Sequence, residues 1–110
     1  MYSRMTTHST IKKITTKIVN NFHPQKIIMF GSWAWGKPHP DSDIDFFIVK
    51  ESAERRIDRG RSLQSHLFGH RFPPMDLLIY TPSEVEKRIT LEDPFILDIL
   101  KRGKVLYEQQ

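Results

Sequence analysis

The 110-residue sequence contains no cysteine, which excludes a disulfide framework and a thiolate-ligated metal site. It also lacks a long apolar run, and none approaches the ~18 residues that a membrane-spanning helix needs. Residues 1–10 are polar and rich in serine and threonine, unlike the apolar centre of a secretory signal. We therefore expect a cytoplasmic protein that does not associate with a membrane.

The length allows one hydrophobic core, because each half of so short a chain would be too small to be stable alone. We predict a single domain over residues 1–110, in which residues 1–9 form a flexible N-terminal segment. The formal net charge is +4. Such mild basicity suits ligands that carry phosphate, nucleic acid or an acidic partner, but many ordinary domains share it.

Hydrophobic periodicity predicts an alternation of helices and short strands. Helices are predicted over residues 10–21, 33–36, 52–67, 81–89 and from 93 to about 102. Strands are predicted over residues 26–30, 43–50 and 75–80, and residues 104–107 form either a final edge strand or a packed tail. The residues expected to face inward in the third and last helices are Ile57, Leu63, Leu67, Ile96, Leu97 and Leu100. This order indicates an α/β domain built on a small mixed sheet.

Three aspartates stand at the beginnings of predicted strands. Asp43 and Asp45 precede a run of apolar residues, and Asp76 precedes another. Because side chains alternate across a strand, Asp43 and Asp45 point to the same face, with Cα atoms roughly 6.6 Å apart. If the two strands are neighbours, all three carboxylates meet at one end of the sheet.

These acids predict a metal site next to a phosphate site. Oxygen ligands without cysteine or a well-placed histidine favour Mg²⁺ or Mn²⁺ over Zn²⁺. Gly31 lets the backbone approach a phosphate, and Ser32 offers a hydroxyl and an N–H at a helix start. Alone, each motif is more often a solvated strand edge or an ordinary turn. Together they predict in-line displacement at a phosphorus atom of a triphosphate.

The residues from Gly31 to Gly36, followed by those from Asp41 to Ile48, resemble the signature of the DNA polymerase beta-like nucleotidyltransferase superfamily. That signature is Gly-Ser, a spacer, Asp-x-Asp and a third acid on a later strand. In length and layout, residues 10 to about 107 resemble the minimal nucleotidyltransferase (MNT) family. The resemblance implies the polymerase beta-like fold, a small mixed β-sheet with flanking helices.

The resemblance also implies roles for the site residues. Gly31 and Ser32 would bind the triphosphate, and Asp43 and Asp45 would coordinate two Mg²⁺ ions. Asp76 would bind the catalytic metal and help to deprotonate the acceptor hydroxyl. The products would be a nucleoside monophosphate ester and pyrophosphate.

Members of the MNT family are often encoded beside a HEPN-domain protein, as the antitoxins of toxin–antitoxin pairs, and some adenylylate a tyrosine of the toxin. The resemblance thus implies transfer of AMP from ATP, or of another nucleotide, to a hydroxyl of a HEPN-type partner. Since little chain follows Tyr107, we expect the acceptor to come from another protein or a second copy of this chain. The alternative is an antitoxin that neutralises its partner by binding alone.

Three further features carry weaker expectations. Trp33 and Trp35 stand where many family members carry arginine, and we expect them to pack on the sheet, with contact to a base or a partner as the alternative. Four arginines are expected on an exposed helix face, with binding of phosphates or an acidic partner as the alternative: Arg55, Arg56, Arg59 and Arg61. We do not expect nucleic acid as a partner.

His66 and His70 have the i, i+4 spacing of zinc ligands. Gly69 between them, and the lack of the glutamate of a zinc-protease motif, argue against a zinc site.

Overall fold

The computed structural model describes residues 8–39, 42–67 and 72–110. The helices in these ranges are α1 (His8–Phe22), α2 (Ser32–Trp35), α3 (Gly60–Leu67), α4 (Pro82–Thr90) and α5 (Pro94–Arg102), with a 3-10 turn at Arg56–Asp58. The strands are β1 (Lys26–Phe30), β2 (Ile44–Val49), β3 (Met75–Tyr80) and β4 (Lys104–Glu108). No helix within the described ranges has the length and apolar character required to cross a bilayer.

The four strands form one mixed sheet in the order β3-β2-β1-β4. β2 and β3 are parallel neighbours, whereas β1 pairs antiparallel with both β2 and β4. The predicted mixed sheet with flanking helices is therefore confirmed. Of the two alternatives for the C-terminal residues, the edge strand is the correct one.

Both faces of the sheet are covered by helices, which explains why β2 is apolar after its first residues. On one face, Ile14 and Ile18 of α1 and Leu63 of α3 pack with Phe46 and Ile48, all of them fully buried. The opposite face is packed by α5. There the fully buried contacts come from Ile28, Phe47, Ile96 and Ile99. The middle of β2 is buried, whereas Asp45 near its beginning and Val49 at its end are partly exposed. The aspartates lie at the beginning.

The prediction of one continuous helix over residues 52–67 is wrong. The chain is irregular up to the 3-10 turn, and α3 begins only at Gly60. The hydroxyl of Ser52 accepts the N–H of Glu54, a local bond that competes with helical pairing. Ile57, expected to face inward, is consequently 75% exposed.

The last helix is rotated slightly from its predicted orientation. Ile96, Ile99 and Leu100 face the sheet, whereas Leu97, expected inside, is 37% exposed. Gly103 ends the helix as predicted. A side chain at Gly103 would collide with Ile28, because the turn passes directly over β1.

The first helix starts at His8, two residues before its predicted beginning. Most of the N-terminal segment predicted to be flexible, residues 1–7, lies outside the described residues, as do Asp41 of the aspartate motif and Gly69.

Candidate active site

The parallel pairing of β2 and β3 sets Asp45 directly beside Asp76. The two residues are register partners, so their side chains lie on the same face of neighbouring strands. Their carboxyl groups lie close enough for the charge and the hydrogen bonding of Asp76 to raise the pKa of Asp45. Asp43 is exposed and lies just before β2 begins, close enough for its charge to act on Asp45. The structure thus brings the second and third predicted acids into contact and leaves the first at the margin.

The surroundings of Asp45 oppose its ionisation. Burial raises the pKa of this carboxyl from 3.8 to about 6, helped by the negative charge of Asp76, the hydrogen bond to it and the charge of Asp43. Across the described part of the chain, no three acidic or histidine side chains have the spacing of a complete metal cage. Of the three predicted acids, Asp45 and Asp76 are the two that the fold places side by side.

Gly31 is required by the position of Asp45. It adopts φ +75° and ψ −158°, a backbone conformation that glycine reaches readily and other residues rarely adopt. A Cβ atom at this position would overlap the carboxylate of Asp45. The pairing of Phe30 with Asp45 explains the contact, because the chain leaves β1 immediately over the carboxylate. Gly31 thus has a structural role beside the phosphate contact that the sequence predicts.

Ser32 begins α2, a single turn that follows Gly31 directly. The carbonyl of Gly31 accepts the N–H groups of Ala34 and Trp35 at 2.9 and 3.1 Å. The amides of Ser32 and Trp33 belong to the first turn, whose N–H groups have no partner within the helix. They lie one and two residues from the contact between Gly31 and Asp45. Phosphate binding by Gly31 and Ser32 remains a prediction.

The two tryptophans pack on the fold, as expected, and one of them also positions the site. The indole N–H of Trp33 donates to the carbonyl of Ser42 at 3.1 Å, immediately before Asp43. The ring of Trp35 lies 6.4 Å from that of Phe30. Both tryptophans are partly buried. The anchoring of the Asp43 segment by Trp33 was not predicted, because a hydrogen bond between residues nine apart leaves no periodic signal.

An open cavity of about 380 Å³ adjoins the carboxylates. Its lining includes Phe30, Asp45, Asp76, Leu78 and Phe95. The rings of Phe30 and Phe95 meet edge to face with centroids 5.8 Å apart, and Phe95 is 50% exposed. Phe95 was not predicted as a site residue. Its position directly after the predicted helix start at residues 93–94 was the available signal, because the opening turn of that helix lies beside the end of β1.

The arginine cluster divides into two kinds of residue. Arg55, Arg56 and Arg61 are exposed, as predicted. Arg59 is only 7% exposed, which makes the prediction wrong for this residue. Its guanidinium pairs with both carboxylate oxygens of Glu84, at 2.6 and 3.1 Å. Arg59 therefore belongs to the packed interior.

The carboxylate of Glu84 is stabilised in its charged form. It pairs with Arg59, and it accepts the N–H of Thr81 at 2.8 Å in the capping box at the start of α4. The hydrogen bond from Arg59 is the main cause that lowers the pKa of Glu84 to about 2.

The prediction that His66 and His70 do not form a zinc site is not tested by the described residues. His66 lies on the exposed side of α3, where a ring nitrogen is 2.8 Å from the carbonyl of Ser62. His70 lies outside the described residues.

Comparisons with known proteins identify the family. A family model described as Polymerase beta, Nucleotidyltransferase matches residues 12–110. Because the match spans most of the sequence, the chain belongs to the polymerase beta nucleotidyltransferase family. No curated protein sequence matches the chain significantly.

Solved structures share the fold at low sequence identity. A candidate nucleotidyltransferase from Sulfolobus solfataricus is 18% identical with a TM-score of 0.63, covering 92% of this chain and 79% of that one. A toxin–antitoxin structure with AMP-PNP is 23% identical with a TM-score of 0.51, covering 92% and 74%. A mutant of the toxin–antitoxin pair MntA-HpeT is 22% identical with a TM-score of 0.50, covering 89% and 73%.

Proposed function

We propose that this chain is a Mg²⁺-dependent nucleotidyltransferase that moves AMP from ATP to a hydroxyl group of a partner protein. We further propose that the partner is a HEPN-type toxin and that the chain acts as its antitoxin. The observation that carries the catalytic part is the contact between Asp45 and Asp76 on adjacent parallel strands.

The donor set suits a hard divalent cation. Asp43, Asp45 and Asp76 offer oxygen ligands alone, which Mg²⁺ and Mn²⁺ prefer. Two carboxylates held in contact, one of them with its pKa raised to about 6, gain more from a cation than from each other. A pair of bound Mg²⁺ ions would neutralise the phosphates and the leaving group. Asp45 and Asp76 would hold such ions, and Asp43 would complete the set.

The reaction forms a bond between the acceptor oxygen and the α-phosphorus of ATP. The bond from that phosphorus to the bridging oxygen of the leaving group breaks, and pyrophosphate departs. The proton of the hydroxyl passes to the carboxylate of Asp76, beside which we place the acceptor. The first turn of α2, behind Gly31, is the proposed contact of the triphosphate, where amide N–H groups stabilise negative charge.

The structural relatives support the choice of nucleotide and partner. One related structure is a toxin–antitoxin complex with AMP-PNP, an analogue of ATP. Another is a toxin–antitoxin pair in which two aspartates have been replaced by glutamate. We carry the same class of partner and nucleotide over to this chain as part of the proposal.

The proposal is tested by incubating the purified chain with Mg²⁺, ATP labelled at the α-phosphate and a lysate of the source organism. We expect one labelled protein, with the label attached at a side-chain oxygen. The matched control is the double variant Asp43→Asn and Asp45→Asn, which keeps the size of both side chains and should label nothing.

The same variant separates catalysis from neutralisation by binding alone. If the double variant still protects cells from the toxin as well as the wild-type chain does, the antitoxin acts by complex formation and the enzymatic account of neutralisation is wrong.

A further inference from the structure

The outer edge of β3 is a free pairing surface within the described residues, since β3 ends the sheet. The N–H of Ile44 donates to the carbonyl of Pro74 at 3.2 Å, and that of Lys50 donates to Tyr80 at 2.9 Å. In a parallel pair, alternate residues of a strand bond to the same neighbour. The backbone groups of Met75, Leu77 and Ile79 consequently point away from β2.

One of these outward groups already has a partner, which confirms the assignment. The guanidinium of Arg59 donates to the carbonyl of Ile79 at 3.1 Å. Arg59 therefore closes the far end of the edge. The open stretch comprises the amides and carbonyls of Met75 and Leu77, which flank Asp76 on both sides.

A continuous groove follows this edge. The cavity at the carboxylates shares Gln64, Leu77 and Leu78 with a second cavity of about 450 Å³, which extends to Ile79. Because successive side chains of a strand point to opposite faces, a depression lined by three consecutive residues must run along the edge. We define the β3 groove by these residues: Ile57, Arg61, Gln64, Asp76, Leu77 and Leu78.

We propose that an extended segment of the partner protein adds to β3 as an antiparallel strand in this groove, with its acceptor hydroxyl residue opposite Asp76. This inference rests on the proposed transfer to a protein hydroxyl. Asp76 lies between two outward-bonding residues, so its opposite residue occupies a non-hydrogen-bonded position. There the Cα atoms approach to about 4.5 Å and the side chains are closest.

The same register places the hydroxyl on the correct face of the sheet. Directly opposite residues of neighbouring strands share a face. The hydroxyl side chain, Asp76 and Asp45 would then form a row, with strands about 4.8 Å apart. The acceptor would reach the carboxylates without an additional acceptor-binding domain.

The charge along the groove specifies the partner segment further. Arg61, with 79% of its side chain exposed, and Arg56 lie at the end of the groove distant from the carboxylates. From Asp76 to Ile79 the strand rises about 10 Å, a distance of three residues. In an antiparallel strand, residues facing this end precede the hydroxyl residue by three or four positions. We infer that acidic residues stand there, beside apolar residues that contact Ile57.

Nuclear magnetic resonance of the isotope-labelled full chain tests strand addition. The probe is a short capped peptide with one tyrosine, two glutamates three and four positions before it, and alternating valine and glutamine elsewhere. Titration without nucleotide is expected to shift the amide resonances of Met75 and Leu77 and to slow their hydrogen exchange. Unchanged resonances at millimolar peptide, or shifts confined to another surface, would overturn the proposal.

Methylation of the peptide backbone tests the register. In the proposed pairing, the two residues next to the tyrosine turn their amides toward β3, and the tyrosine turns its own amide away. We expect N-methylation of both flanking residues to abolish binding and N-methylation of the tyrosine to preserve it. Equal binding by the two methylated peptides contradicts strand addition.

The charge prediction has a matched pair of variants. Arg55 and Arg61 are similarly exposed and both pair with Asp58, but only Arg61 lines the groove. Arg61→Glu is expected to weaken peptide binding about tenfold, and Arg55→Glu to change it less than twofold. Equal effects of the two variants would remove the acidic segment from the proposal.

These measurements do not depend on catalysis. Peptide binding at Met75 and Leu77 without any label transfer from ATP would contradict the proposed function and leave the docking surface standing. Label transfer to a partner, with no peptide binding at this edge, would support the proposed function and overturn the docking surface.

Discussion

The two ends of β3 hold charged groups in opposite ways. At the beginning, Asp76 lies beside Asp45, and burial together with the nearby charge of the same sign raises the pKa of Asp45 to about 6. At the other end, Arg59 meets Glu84 beside Ile79, with opposite signs and hydrogen bonds to both carboxylate oxygens. The pKa of Glu84 falls to about 2 there.

The two pairs differ as a proposed functional site differs from a structural one. The pair of Arg59 and Glu84 finds its counter-charge within the chain, so its contacts stabilise the fold. Within the described residues, the charged groups that act on Asp45 are both acidic, so its electrostatics oppose the folded state. In the proposed function a bound cation would remove that cost. A site that is unfavourable alone and complete with a ligand is what metal-dependent transfer requires.

The largest expected effect is on the rate of transfer, when one of the two like-charged aspartates at the beginning of β3 is replaced. Asp45→Asn should lower label transfer from ATP on the order of a thousandfold, because ligation of a catalytic metal is worth several kcal/mol. Initial rates under saturating Mg²⁺ measure the loss. Glu86→Gln, on the exposed side of α4, is the control and should leave the rate unchanged. A rate within tenfold of wild type for Asp45→Asn would contradict the assigned role.

Breaking the ion pair between Arg59 and Glu84 at the other end of β3 should lower the stability of the fold. Arg59→Met leaves Glu84 without its main partner, and we expect a loss of about 3 kcal/mol in the free energy of unfolding, the lower end for a buried pair because Glu84 is 38% exposed. Urea denaturation measures this loss. The difference from wild type should shrink as the pH falls from 4.5 toward 2, where Glu84 becomes protonated.

Arg55→Met is the matched control for this loss. Arg55 pairs with Asp58 at 3.0 Å on the surface, where such a pair is worth less than about 1 kcal/mol. If both substitutions cost the same, Arg59 is not a structural anchor.

A smaller effect concerns pH. The folded pKa of Asp45 is about 6, above its ordinary value of 3.8, so the folded metal-free chain binds a proton that the unfolded chain releases. Stability should therefore decline as the pH rises from about 4 to about 6. The shift corresponds to at most about 3 kcal/mol, and solvent screening reduces the expected loss to about 1 to 2 kcal/mol.

Asp45→Asn isolates this contribution. Above pH 6 the metal-free variant should be more stable than the wild-type chain, and below pH 4 the difference should vanish. Thermal melting at several pH values, with chelator present, supplies the comparison. A variant that is less stable than wild type at pH 7 would show that Asp45 is not held at an electrostatic cost.

The smallest effect concerns the hydrogen bond that precedes Asp43. Trp33→Phe removes the donor to Ser42, a bond worth about 1 kcal/mol. We expect the Mn²⁺ concentration for half-maximal transfer to rise about fivefold, because Asp43 is then less well positioned. Trp35→Phe, which alters the contact with Phe30, should not change the metal requirement. The same metal requirement in both variants would argue against a positioning role for Trp33.

Local patterns predicted those parts of the molecule that depend on local order. The strand starts beside the aspartates, the start of α4 after Thr81 and the end of the last helix at Gly103 all follow from neighbouring residues. The direct contact of Asp45 with Asp76 depended on which strands are neighbours. Periodicity does not show which strands are neighbours, so the sequence predicted that the carboxylates meet only if the two strands lie side by side.

Tertiary contacts account for the failures. The burial of Arg59 depends on Glu84, which is 25 residues away, and no local signal distinguishes it from the exposed Arg55. The helix predicted to begin at Ser52 instead begins at Gly60. At Ser52 the side-chain hydroxyl accepts the N–H of Glu54, and this local bond competes with helical pairing. Phe95 was missed because its site role depends on contact with Phe30 of β1.

The titration of Asp45 in the intact chain tests the account most directly. Carboxyl carbon resonances, assigned with Asp45→Asn, would be followed against pH with and without Mg²⁺ and AMP-PNP. We predict that Asp45 titrates near pH 6 in the metal-free chain and that its pKa falls below 4 when the metal and the nucleotide analogue bind. A pKa near 4 that is insensitive to Mg²⁺ would contradict the assignment of this end of β3 as the metal-binding active site.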